Sequence, residues 1–218
     1  MAGPESGPGH RRLRVESGTR VVDSHPMSLL IFTVLALSQT QPVGSVPYCS
    51  LAKYTSITQS YDDFESGSNG WRQWGENGCY SEAAELLANY RRENDASLGA
   101  APRNSLLFHE AQLRASAGEN SAAADLIDEI ETRSVIAPVA IYYAATAAFL
   151  RNDKVRLKQM RKELSEMPMP KEFEDARRRY VEANGGEGPK WPMNLDVVDD
   201  LIKCFGQPYL IAYSCSYQ

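Results

Sequence analysis

The residues best equipped for chemistry are few. Four cysteines, Cys49, Cys79, Cys204 and Cys215, form the largest set. A four-cysteine zinc site needs two close C-x-x-C pairs, and these spacings are far too loose. An even count instead favours two disulfides in an oxidising compartment. Three connectivities are possible, and the shortest closed loops give Cys49–Cys79 and Cys204–Cys215. A bridge closing the second loop would contribute about 2–3 kcal/mol by restricting the unfolded chain.

His109 is the one histidine beyond residue 38. No H-E-x-x-H accompanies it, and the adjacent Glu110 diverges from it around a helix, so a structural or surface role is expected. No G-x-S-x-G elbow occurs, and Gly185-Gly-Glu-Gly-Pro-Lys190 lacks both the spacing and the preceding strand of a phosphate loop. Asp62-Asp63 and Asp199-Asp200 are consecutive and point apart on a helix. Trp71 and Trp74, three apart, share a helix face; they suit a core, or else a glycan platform beside acids such as Glu76. The second option defines the alternative function, a cell-envelope hydrolase acting on glycan through a helical cleft. The main reading has no catalytic residue, no metal site and no cofactor.

The elements that must position these residues follow a leader. Residues 1–26 are polar and rich in Gly, Pro, Ser and Arg, and an eleven-residue apolar run, Met27–Leu37, follows. A bilayer span needs about 20 residues. The run fits the apolar region of a secretory signal, with Ala36-Leu37-Ser38 as a cleavage site; the competing reading is a buried N-terminal helix of a cytoplasmic protein. Translation from Met27 is a further possibility. Residues 1–38 carry four Arg against three acids, so their removal takes the net charge from -5 to -6. An acidic chain argues against nucleic acid as partner. A periplasmic or secreted location is expected, with no membrane span after cleavage.

Beyond the leader, 39–56 reads as an extended lead segment containing Pro42 and Pro47. Helices are expected over 57–65, 71–76 and 80–93, the last with Tyr80, Ala83, Ala84, Leu87 and Tyr90 on one face. A connection over 94–104 holds Gly99 and Pro102. Two helical hairpins follow, 105–117 with 121–132 and 138–150 with 154–166. Asn120 or Ser121 is expected to cap the second helix of the first hairpin, and Val139–Leu150, apolar nearly all round, should be the most buried helix. Residues 170–183 read as a charged helix ending at Asn184-Gly185-Gly186. A last helix, 194–205, has Asn194 as N-cap and is stopped by Gly206 and Pro208.

The turns recur. Gly118 and Asn152 lie 34 positions apart, and Gly78 precedes Gly118 by 40. Such a period marks helical hairpins that stack because none can bury its apolar face alone. Asn77-Gly78-Cys79-Tyr80-Ser81-Glu82-Ala83, the set Leu107, Ala111, Gly118 and Ala123, and the set Ile141, Ala145 and Asn152 resemble the tetratricopeptide-repeat family. The match is degenerate: the first copy has Gly67 and Trp71 where a large–small pair is usual, and the third has Leu157 where a small residue is usual.

The resemblance implies an all-α fold, a short right-handed solenoid of about three hairpins over 57–168 with a C-terminal helical cap over 169–218. It also implies a concave surface lined by the first helix of each hairpin. The residues carried onto that face are Arg72, Phe108, Gln112, Tyr142, Thr146 and Phe149, of which the aromatic ones could equally pack between hairpins. The pattern by which some family members clamp a terminal carboxylate is absent. The expected function is non-catalytic binding of a protein or peptide partner.

Overall fold

The computed structural model describes residues 48–130 and 135–217, all of whose regular structure is helical. The proposed signal and most of the lead segment lie outside the described residues. Among the described residues ten α-helices follow a 3-10 turn at Tyr48–Tyr54: α1 (Tyr61–Ser66), α2 (Arg72–Glu76), α3 (Tyr80–Glu93), α4 (Ala100–Ser116), α5 (Asn120–Asp128), α6 (Ala137–Leu150), α7 (Lys154–Ser165), α8 (Lys171–Asn184), α9 (Leu195–Lys203) and α10 (Tyr209–Ala212). From α2 to α7 each helix packs against the next, and α9 closes over α6 and α7.

Three of the connections are built alike. Gly78, Gly118 and Asn152 take φ of 80°, 87° and 57°. In each turn the following residue donates its N–H to the carbonyl five positions back: Cys79 to Trp74 (2.9 Å), Glu119 to Arg114 (2.8 Å) and Asp153 to Ala148 (2.8 Å). This is the left-handed closure that satisfies the last carbonyls of a helix. The next helix starts one residue later, and the first residue to return a backbone bond across it, Ala83, Ala123 or Leu157, is fully buried. Leu157 shows that this position tolerates bulk.

The structure differs from expectation at several ends. The lead segment is not extended throughout, since Tyr48–Tyr54 coils into a 3-10 turn. The first helix starts at Tyr61 rather than Ile57, because Ser60 Oγ accepts the Asp63 N–H and sets the N-terminus there. The connection expected over 94–104 ends early: α4 begins at Ala100, and Pro102 sits in its first turn, where no N–H is needed. Neither Asn120 nor Ser121 caps α5. Glu119 holds that place, and its carboxylate pairs with Arg114 at 2.8 Å instead. Asn194 precedes α9 in a left-handed conformation, φ 62°, without a side-chain cap bond. α6 and α4 each bury eight residues, α6 doing so in the shorter helix.

Two apolar clusters meet at α4. Leu106 and Leu113 belong to a cluster with Phe64, Trp71, Trp74, Leu87 and Tyr90. Leu107, Phe108, Ala111 and Ala115 belong to another, with residues of α5, α6, α7, α9 and α10. Both disulfides have the short-loop pairing, Cys49–Cys79 and Cys204–Cys215. A Cβ at Gly118 would meet nothing within 4 Å, so the demand for glycine there is purely conformational. Gly118→Ala should therefore destabilise the chain by about 1 kcal/mol while Asn152→Gly leaves it nearly unchanged, read as shifts of the urea midpoint.

Candidate functional site

Helix α4 is apolar on two flanks, so its remaining edges must be polar. Along one edge, Ser105, His109, Gln112 and Ser116 recur at i, i+4, i+7 and i+11, and all four are half-buried. His109, Gln112 and Ser116 form the floor of a cleft between Trp71, just ahead of α2, and α10, while Ser105 lies beyond it against the Tyr61 hydroxyl. One part of the cleft, of about 250 Å³, is lined by Trp71, His109, Gln112, Leu113, Tyr209 and Tyr213 among others. A shallower part, of about 310 Å³, continues past His109 and Gln112 to Tyr142, Tyr143 and Asn194. No carboxylate lines either part.

His109 Nδ1 lies 3.1 Å from Glu65 Oε1, close enough for charge attraction although not aligned as a directed hydrogen bond. Glu65 is nearly buried. Its carboxylate accepts from Trp71 Nε1 at 3.0 Å and pairs with Arg72, whose Nε also donates to the Glu65 carbonyl at 2.7 Å. Burial by itself would raise the Glu65 pKa, but His109, Trp71 and Arg72 together outweigh it and hold the carboxyl below its ordinary value. The Arg72 guanidinium stacks on the Trp71 ring at 4.3 Å, and His109 leans on the same ring with centroids 5.0 Å apart. Glu65 thus fastens α1, α2 and α4 together behind one wall of the cleft.

The other wall is aromatic. Gln112 Nε2 donates to the hydroxyls of Tyr209 (3.3 Å) and Tyr142 (3.5 Å). Burial pushes both phenols above their ordinary pKa, so the hydroxyls stay protonated. Tyr213 packs beside Tyr209, centroids 5.5 Å apart. Cys215 follows after Ser214 and is bonded to Cys204, ahead of α10 in the chain, which ties this wall to the end of α9.

Of the six residues carried onto a concave face, the structure brings Phe108, Gln112 and Tyr142 to the cleft, and Arg72 stands behind Trp71. Phe108, Tyr142, Thr146 and Phe149 are between 1% and 6% exposed. Phe108 stacks on Tyr143 at 4.0 Å, and Phe149 meets Phe205, just past α9, edge-on at 5.8 Å. Those side chains therefore belong to the core. Trp71 and Trp74 are buried as well, Trp74 donating to Thr55 Oγ1 at 2.8 Å, while Glu76 is exposed. Sequence reasoning missed Glu65 as the partner of His109, because nothing local links positions so far apart. It missed Tyr209 and Tyr213 too, although their i, i+4 spacing marks a common helix face.

Among the described residues, no group of three or more His, Cys, Asp or Glu side chains could hold a metal ion. Ser116 Oγ donates to the Gln112 carbonyl at 2.8 Å, and the four cysteines are in disulfides. The arrangement offers hydrogen-bonding groups between aromatic walls. No family model matches the chain, and searches of the curated proteins and of the solved structures return no match.

Glu65→Gln should cost about 2–3 kcal/mol at neutral pH, by leaving Arg72 and its neighbours without a buried counter-charge. Because the folded-state pKa of Glu65 is lowered, its contribution is whole above the ordinary value near 4.5 and fades as pH falls through the folded value. The gap between wild-type and Glu65→Gln urea midpoints should accordingly be widest at pH 7 and shrink toward pH 3.

Proposed function

We propose that the chain is an exported, non-catalytic helical-hairpin protein whose task is to bind a segment of another protein or a peptide along α4. The carrying observation is the polar stripe His109, Gln112 and Ser116, half-exposed at the bottom of a cleft whose walls are Trp71 on one side and Tyr209 and Tyr213 on the other. Such a cleft combines rigid apolar contact area with a few placed donors and acceptors, the composition that suits side chains and amides of a peptide.

Three similarly closed turns support the reading of α2–α3, α4–α5 and α6–α7 as successive hairpins of a short right-handed solenoid, with α8–α10 as the cap. In a tetratricopeptide-like arrangement the first helix of each hairpin lines the concave side, and α4 is such a helix. Two disulfides support an oxidising compartment and hence export to the periplasm or beyond. No helix among the described residues is long and apolar enough to cross a membrane.

The test is site-directed photocrosslinking in envelope or culture fractions. With p-benzoylphenylalanine at Ser116 the chain should yield a discrete adduct, and the same probe at Val155, which is 81% exposed on α7 and outside the cleft, should not. Adding Gln112→Ala or Tyr213→Ala should reduce the Ser116 adduct several-fold. Equal labelling from both probes, or an adduct indifferent to both substitutions, rejects the cleft as the binding surface.

A further inference from the structure

Helix α8 stands apart from the rest of the fold, because none of its fourteen residues is buried. It is held only on one side. Trp191 packs on Phe173 with centroids 4.8 Å apart and donates to the Met167 carbonyl at 3.0 Å, and Arg177 donates to the Glu187 carbonyl at 3.0 Å. A helix of this length is marginal in water without a packed face.

Next to the side covered by the Glu187–Trp191 loop runs an open apolar stripe. Phe173, half-buried at the edge that Trp191 covers, and the open Ala176, Tyr180 and Ala183 follow the alternating three- and four-residue spacing of a helix–helix seam. Ala176 and Ala183 are exposed, and Tyr180 is 48% exposed. Met169, 41% exposed, extends the stripe just ahead of the helix. Glu172 and Arg179 flank it, and neither has an ion-pair partner among the described residues. Asp175, on the same helix edge, is held by Lys171 (2.9 Å) and Arg178 (2.7 Å), and Arg179 acts on its charge only from beyond ion-pair distance.

We infer that this stripe is a self-association surface, on which α8 of a second copy of the chain docks antiparallel. Two features select that occupant. In the antiparallel register Phe173 lies against Ala176 of the second copy, and Tyr180 reaches toward its Met169. Large residues then meet smaller ones twice over by symmetry, where a parallel pair would stack like on like. The same register sets Glu172 opposite Arg179 of the second copy, and Arg179 opposite its Glu172, giving two ion pairs and opposed helix dipoles.

A lipid surface is the poorer match. Helix α8 carries Lys171, Arg177, Arg178 and Arg179 against Glu172, Glu174, Asp175 and Glu182, and a helix of zero net charge gains nothing from anionic headgroups. A seam of so few layers is short for a permanent interface, so a reversible, concentration-dependent dimer is expected.

Sedimentation equilibrium of the full oxidised chain across the micromolar range tests this. The expected result is a concentration-dependent rise from monomer to dimer mass, lost in Ala176→Glu. Glu172→Arg should weaken association roughly tenfold, and the double exchange Glu172→Arg with Arg179→Glu should restore it. None of these positions is buried, so the fold survives each change. Monomer at every concentration, or a dimer untouched by Ala176→Glu, overturns the surface. A double exchange no tighter than the single overturns the antiparallel register.

Discussion

The structure depends on α4 having to satisfy two apolar cores at once. Leu106 and Leu113 face one cluster, and Leu107, Phe108, Ala111 and Ala115 face the other. A helix packed on opposite flanks has only two narrow edges left, and both must be polar. One edge is the cleft floor. The other carries Glu110, 2% exposed, whose carboxylate accepts from Arg91 of α3 at 2.7 Å and from Arg114 at 2.9 Å. Arg114 continues the chain of charges to Glu85 and Glu119, both at 2.8 Å. Burial works against the Arg114 charge, but its three carboxylate partners outweigh that and keep the guanidinium protonated. A buried carboxylate deprived of its partners costs several kcal/mol. The network therefore permits a single rotation of α4 about its axis, and that rotation is what turns His109 and Gln112 toward the cleft.

How much of this is legible from residues alone follows the same logic. The turns are legible because each carries its own cause: a Gly or Asn that tolerates positive φ, at comparable distances from buried positions on either side. The disulfide pairing is legible from loop length. The double-sided burial of α4 is not, because a reading that looks for one apolar face finds Leu107, Ala111 and Ala115 and assigns Leu106 and Leu113 to no partner. Two faces of one helix sum to a weak overall asymmetry, and the stripe of Ser105, His109, Gln112 and Ser116 reads as ordinary surface.

The concave-face assignment shows the same limit from another side. Position within a repeat selected Thr146 and Phe149 on α6, the counterpart of α4. In the fold α9 and α10 lie over that helix, with Phe205 and Tyr209 against Phe149. These helices thus cover the side of α6 that the resemblance had assigned to a concave face, and Tyr209 and Tyr213 become a wall of what remains. No local pattern in α6 announces that covering, because the covering residues are more than fifty positions away.

Both cleft walls rest on helices too short to hold themselves, α2 with five residues and α10 with four. Each lies beside a disulfide: Cys79 follows the end of α2 directly after Asn77-Gly78, and Cys215 follows the last wall residue, Tyr213, after one serine. A cross-link there acts less on the core, which the α4 network already aligns, than on the freedom of the walls to splay. For a binding cleft that distinction matters, because wall mobility must be given up again whenever a ligand is held. The cysteines, the residues with the most conspicuous capacity for chemistry in the sequence, thus act on the cleft by fixing where Trp71 and Tyr209 stand.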